Sequence, residues 1–324
     1  MQNTLFSKEI IFAIIILFIG VSVIPSTVSL QLEKNNSIDK KISSYPVYLH
    51  NTTIYVDDDN AEGPWDGTLE HPFRYVKDGV NAADDNDTVF VFSGTYYETY
   101  IVVKKSIKFF GEDKDSTIID GGGYVTVFSF YANNIMFTGF TVQNGGNDYF
   151  AFDSGIKVGK SSNVTIIGNI ISNNRYIGLF VYAHKCLVSQ NTITSNIIGI
   201  LVFPDPKGNN MIFNNTVDSN CVGIDIAALN VSIFRNKIRA NLRGIRITES
   251  INISIFENNF RRNENPPIFA QSDRMATKWK SNYWNRPRLF PKLIFGRRYL
   301  EGGKTIFWIN FDWHPAKEPY DIEV

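Results

Sequence analysis

Between Val164 and Asn263 the chain repeats itself five times. The segments VTIIGNIISNNRYIGLFV from Val164, CLVSQNTITSNIIGILV from Cys186, MIFNNTVDSNCVGIDI from Met211, VSIFRNKIRANLRGIRI from Val231 and ISIFENNFRRN from Ile253 align on Asn169, Asn191, Asn215, Asn236 and Asn258. The intervals are 22, 24, 21 and 22 residues, a period that belongs to solenoids. A second asparagine follows each anchor by five residues, at Asn174, Asn196, Asn220, Asn241 and Asn263, and a glycine then recurs at Gly178, Gly199, Gly223 and Gly244. The long interval contains Pro204-Asp205-Pro206-Lys207-Gly208, whose turn residues mark a loop insertion that leaves the register intact.

Within each unit apolar and polar residues alternate over short stretches, with no period of 3.6, so helical repeats are excluded. Ile166, Val188, Ile212, Ile233 and Ile255 form one expected inward column, and Ile171, Ile193, Val217, Ile238 and Phe260 a second. Leu179, Ile200, Ile224 and Ile245 form a third. Stacked coils lie about 4.8 Å apart, close enough for asparagine amides to hydrogen-bond from coil to coil, which assigns the anchoring asparagines a structural ladder. The expected fold is all-β: a single-stranded right-handed parallel β-helix of about eight coils.

Upstream strands are expected near 88–92, 106–110, 116–120, 125–130 and 134–142. Phe73, Val76, Val80 and Ala83 share one face of a short helix suited to covering the first coil. Trp279, Tyr283, Trp284, Phe290, Phe295, Trp308, Phe311 and Trp313 gather past the last clean repeat as an aromatic C-terminal cap. Residues Ile10 to Ile24 are an unbroken apolar run behind Lys8, followed by small residues, and read as a signal peptide or a retained N-terminal anchor. The resulting division is 1–29 signal or anchor, 30–52 linker, 53–87 N-terminal cap region, 88–272 β-helix and 273–324 C-terminal cap. The expected location is extracellular or at the cell surface, with membrane contact only through the N-terminal segment if it is uncleaved.

At 324 residues and 44% hydrophobic composition the chain buries a large core. Its 32 basic and 32 acidic residues leave no net pull toward nucleic acid, which is not an expected partner. Cys186 and Cys221 fall at different positions of different coils, so no disulfide is expected.

The stretch from Thr53 to Glu98, the run IKFFGEDKDSTIIDGGG from Ile107 and the NxI/NxxGI coils together resemble right-handed β-helix proteins of the pectate-lyase-like superfamily. The nearest group is the NosD-like parallel β-helix repeat proteins of prokaryotic cell surfaces. SNYWNRPRLFPKLIFG and FDWHPAKEPYDI resemble the terminal signature of such surface proteins, so the resemblance covers about residues 53–322. It implies the fold far more closely than the activity, because the superfamily spans lyases, hydrolases, epimerases and binding proteins. Its lyases hold calcium on acidic residues and use an arginine or lysine base, and its hydrolases use clustered aspartates. Asp148, Asp153, Asp225 and Arg246 are the nearest candidates, but no outward column repeats aspartate. The NosD-like label also raises copper. The histidines are His50, His71, His184 and His314, and no histidine, methionine or cysteine cluster has metal spacing.

The outward row of the third strand reads Lys157, Phe180, Leu201, Asp225, Arg246, and two residues on lie Tyr182 and Phe203. Phe180, Tyr182, Leu201 and Phe203 thus make one apolar patch on the outer surface. It either stacks against a sugar ring or is covered by a partner or by the loop 145–153. Asp225 and Arg246 read as a surface ion pair, and His184 as a solvated turn residue. Asp57, Asp58 and Asp59 form an oxygen-rich run in which calcium is possible, although the spacing is not that of an EF-hand loop. No other cofactor and no catalytic residue is expected. The expected role is that of an exported or surface β-helix with a structural or carbohydrate-interacting function, its partner a polysaccharide or a surface protein. The alternative is a polysaccharide lyase or glycoside hydrolase acting on an acidic polysaccharide.

Overall fold

The computed structural model describes residues 52–146, 148, 151–272, 277–300 and 304–324. The expected signal or anchor and nearly all of the linker lie outside the described residues. The chain winds as a right-handed parallel β-helix whose coils each contribute up to three short strands, and the strands stack into three faces. In the first clean repeat these are Thr165–Ile167, Ile170–Ser172 and Ile177–Val181. The second face stacks nine strands, from Gly94–Tyr97 to Tyr283–Trp284, and so counts nine turns. The first and third faces end in Thr305–Asp312 and Lys292–Tyr299, which pair with each other as an antiparallel hairpin.

The three inward columns are in register. Ile166 pairs with Val188, Val188 with Ile212, Ile212 with Ile233 and Ile233 with Ile255. Ile171 leads through Ile193, Val217 and Ile238 to Phe260, and the column then continues to Trp284. Leu179, Ile200, Ile224 and Ile245 pair in turn. All are buried, and full burial of one such side chain contributes roughly 1.5–3 kcal/mol. In the early coils phenylalanine replaces the branched aliphatics, and Phe109, Phe128, Phe130, Phe137 and Phe140 fill the interior with mutual ring contacts.

The corner between the first and second faces takes two residues. The first has positive φ, at Gly168, Gln190, Asn214, Arg235, Glu257 and Ser281, and the second is the ladder asparagine. A left-handed conformation costs a non-glycine residue about 1–2 kcal/mol. The asparagine offsets it by hydrogen bonding. Each Oδ1 accepts the backbone N–H of the preceding coil's asparagine at 3.0 Å, from Asn169 through Asn258, and accepts its Nδ2–H as well. Each Nδ2 also donates to carbonyls within its own coil and the one before, as Asn215 does to Phe213 and Val188. Every polar atom of the buried amide therefore has a partner, the condition for burying it at all.

The ladder runs past the expected last member. Asn282 follows Asn258, and Asp312 follows Asn282. The fully buried carboxylate of Asp312 accepts from the N–H groups of Ser281 and Asn282, from Asn282 Nδ2 and from Trp284 Nε1, at 2.9–3.1 Å. The coils thus extend beyond residue 272: Trp279 and Trp284, which read as part of a separate cap, are core residues of a ninth coil, whereas Phe290, Phe295, Trp308 and Trp313 are exposed. At the opposite end Thr53–Val56 pairs with Thr88–Val91, so the region that read as cap also contributes a strand. Strands Gly94–Tyr97 and Ile101–Val103 were not expected. The segment 134–142 splits into Met136–Thr138 and Thr141–Gln143 around Gly139, whose φ is +85.

The predicted short helix is Val76–Ala82, with Val76, Gly79 and Val80 buried. Glu98 supplies the helix cap from a distance, its carboxylate accepting the N–H groups of Val76 and Lys77. Among the described residues no helix is long and apolar enough to cross a membrane.

Candidate functional site

The outward row of the third face is as the repeat places it: Lys157 pairs with Phe180, Phe180 with Leu201, Leu201 with Asp225 and Asp225 with Arg246. Its apolar members are not open to solvent. Phe180 is 4% exposed and Leu201 7%, and with Ile177 and Ile198 they form a second, smaller core on the outside of the sheet. The cover comes from Phe152. Phe152, at φ +54, stacks on Phe180 with ring centroids 5.1 Å apart and meets Phe203 at 5.3 Å. Lys157 Nζ donates to the Ala151 carbonyl at 2.9 Å and lies 5.6 Å from the Phe180 ring, pinning the loop from below. The side chain of Asp153 accepts the Asp148 N–H and the Thr126 hydroxyl, and closes it from the other side.

Of the two alternatives for the patch, the structure therefore has the loop over Phe180 and Leu201. Open sugar stacking on these two is corrected: four apolar side chains at adjacent positions on a sheet lose more by hydration than a loop loses by ordering one aromatic residue over them. Tyr182 and Phe203 remain half-buried at the rim, in an edge-to-face pair with centroids 5.8 Å apart.

The Asp225–Arg246 pair is more than a solvated surface contact. Arg246 donates to both carboxylate oxygens, through Nε at 2.9 Å and through Nη2, while Asp225 retains only a tenth of its side-chain surface. Bidentate pairing of this kind occupies both oxygens of the Asp225 carboxylate. His184 is largely buried rather than solvated, and its Nδ1 lies 3.6 Å from the buried Asp205 carboxylate, too far for a hydrogen bond. Asp205 belongs to the five-residue insertion, and it also accepts the Lys207 N–H.

The run Asp57, Asp58, Asp59 is used locally. The Asp57 carboxylate accepts the Asp59 N–H at 3.1 Å, and Asp58 Oδ2 accepts the Thr95 N–H. A Cβ at Gly94 would lie 1.9 Å from Asp58 Oδ1, so the glycine is what lets this carboxylate reach the strand. Among the described residues no three histidine, cysteine, aspartate or glutamate side chains come together as metal ligands.

The asparagines Asn169, Asn191, Asn215, Asn236 and Asn258 all lie inside the coil, fully buried. Cys186 is buried and Cys221 exposed, and both are free thiols. Burial pushes the Cys186 thiol up to about 12. Sequence reasoning missed three residues that shape this surface and its end: Phe152, because a single aromatic in an aperiodic loop carries no register, and Asn282 and Asp312, because the repeat around them is overwritten by tryptophan and tyrosine.

The family model described as "Periplasmic copper-binding protein (NosD)" matches residues 80–304. Among curated proteins no sequence relative is found. Solved structures with a similar fold include the complex of XylC with xylose, at a TM-score of 0.56 and 11% identity over 81% of this chain and 73% of that one. A rhamnogalacturonan lyase superposes at 0.44 and 14% identity over 82% and 80%, and the pectate lyase Pel9A at 0.43 and 13% over 74% and 65%. At these identities the likeness concerns the fold alone.

The copper named in the family's description finds no fitting donor set among the described residues. Cys186 faces the core, His184 faces Asp205, His71 lies beside Asp66, and Met136 and Met211 are three coils apart on the first face. Fold, repeat and family match agree, and the chain belongs to the NosD family of parallel β-helix proteins.

Proposed function

We propose that the protein is an exported β-helix module that engages carbohydrate without cleaving it. Export is supported by the periplasmic description of the family. One observation carries the non-catalytic reading: the carboxylates nearest the outer strip, Asp153 and Asp225, are both engaged in internal hydrogen bonds, while Tyr182 and Phe203 remain accessible beside them. Acid–base cleavage of a glycosidic bond needs two carboxylates facing each other across the sugar, about 5–9.5 Å apart. A half-exposed aromatic pair at the rim of a rigid sheet instead suits stacking on a sugar ring.

The test is a glycan panel presented to the full-length protein with and without calcium, read for retention and for ultraviolet-absorbing unsaturated products. Retention without product, weakened in Tyr182→Ala and Phe203→Ala, is the expected result. Calcium-dependent product formation would overturn it in favour of a lyase.

A further inference from the structure

The balanced composition hides a polar distribution of charge along the coil. Residues 53–120 carry fifteen acidic and six basic side chains, whereas residues 229–300 carry fifteen basic and four acidic. At the basic end, where the chain leaves the ninth coil, a cleft of about 180 Å³ opens between the last two turns and the segment leading into the hairpin. Its floor is Phe260 and Trp284, stacked with ring centroids 4.4 Å apart. Its rim carries Arg288, Lys292 and the carboxamide residues Asn263 and Asn285, and no carboxylate lines it.

Two features separate this cleft from an ordinary cationic surface. Arg288 Nε is buried and donates to nothing, and neither Arg288 nor Lys292 has an ion-pair partner among the described residues. A buried donor without an acceptor is costly, so Arg288 Nε calls for an acceptor from outside the protein, a water or a ligand oxygen. Burial first, and then the neighbouring Arg286, holds Arg288 below the ordinary arginine range. Burial and Arg288 do the same to Lys292. The two cations are thus partly desolvated and close together, and no carboxylate lines the cleft with them. Lys292 Nζ is held over the Trp284 ring at 5.8 Å, and Arg243 supports the opposite wall by donating to the Pro266 carbonyl at 2.7 Å.

We propose that this cleft binds one anionic substituent, a carboxylate or a sulfate, of an acidic polysaccharide. The volume admits a single charged group with its ring edge rather than a whole disaccharide. The oxygens of Asn263 and Asn285 are taken by Asn241 and by the Arg262 N–H, so these carboxamides offer N–H donors to neighbouring sugar oxygens, and the cationic end surrounding the cleft draws in a chain that carries anionic groups repeatedly. The choice of a sugar chain rests on the proposed carbohydrate role, whereas the anion site rests on Arg288 and Lys292 alone.

The experiment measures binding of the full-length protein to polygalacturonate, dextran sulfate, unsubstituted dextran and single-stranded DNA. It compares wild type, Arg288→Gln/Lys292→Gln, the exposed-charge control Arg297→Gln, and Tyr182→Ala/Phe203→Ala. The expected result is binding to polygalacturonate or dextran sulfate that falls on the order of tenfold in the double charge variant and changes little in the control, with an unchanged urea midpoint. Preference for one of the two polymers then assigns carboxylate or sulfate. Equal binding by wild type and the double variant, or no binding to either acidic polymer, overturns the cleft. Equally tight, equally variant-sensitive binding of DNA overturns its selectivity for sugar. Loss of glycan binding only in Tyr182→Ala/Phe203→Ala would leave the rim reading standing and remove this one.

Discussion

Replacing Asn215 by alanine isolates the energy of one rung in the middle of the ladder. The carboxamide accepts from the N–H and the Nδ2 of Asn191, and donates to the carbonyls of Val188 and Phe213 and to Asn236 Oδ1. Without it, the Asn191 N–H stays inside the coil with no acceptor, a loss of about 1–3 kcal/mol. The two carbonyls forfeit hydrogen bonds worth about 1 kcal/mol each, and no water reaches a site whose residue is fully buried. Asn236 Oδ1 keeps the backbone N–H of residue 215, so the damage stops one rung away. The expected destabilisation is about 3–5 kcal/mol, a large share of what a folded domain possesses. Urea titration followed by far-ultraviolet circular dichroism measures it. Thr194→Ala, on the outer side of the preceding coil, serves as the control and is expected to change stability by no more than about 0.5 kcal/mol. If Asn215→Ala matched that control, the ladder would be a consequence of the coil rather than a cause of its stability.

Asp312→Ala removes four acceptor contacts at the end of the same column and is expected to cost about 3–5 kcal/mol, with a change in tryptophan emission because Trp284 Nε1 loses its partner; an unchanged spectrum would refute the contact. In the native protein, iodoacetamide should label Cys221 and leave Cys186 unmodified until urea unfolds the coil, since burial holds the Cys186 thiol near 12. Burial, outweighing the Lys77 and Val76 N–H donors, raises Glu98 above the ordinary glutamate value. A folded-state value above the unfolded one means that Glu98 favours folding at low pH and that this contribution is lost as pH rises through the raised value. Carboxyl carbon chemical shifts of Glu98 should titrate above the usual range, and a midpoint at or below it would contradict the placement of this side chain under the helix.

The interior of the molecule was legible in the sequence because a β-helix writes its core as columns. Ile166, Ile171 and Leu179 announce a strand through their successors one period on, and the asparagines date each corner. Legibility failed where the period is overlaid. The early coils substitute phenylalanine in unequal spacing, so Gly94–Tyr97 and Ile101–Val103 carry no visible repeat. At the other end Trp279, Tyr283 and Trp284 are core residues of a ninth turn that read as cap because aromatic clusters are common in caps. The outer strip was placed correctly residue by residue, yet its cover depends on Phe152, whose position follows from a loop path and not from periodicity. The cleft at Arg288 and Lys292 joins two turns to an irregular segment, and no short-range pattern specifies such a meeting.

The asparagine column has a direction. Each rung offers its oxygen to the coil before it and turns its own N–H toward the coil after it, so the column ends with donors exposed. Glutamine or asparagine there would bring further donors with it. A carboxylate brings none, and Asp312, entering from the hairpin, closes the row. Such a stack can lengthen or shorten by whole turns in its middle, since each new asparagine both meets and recreates the same demand. Truncation before the hairpin instead leaves a fully formed coil with an unanswered end. The turns of this protein are in that sense interchangeable units, and the hairpin is the one part that cannot be a copy of the others.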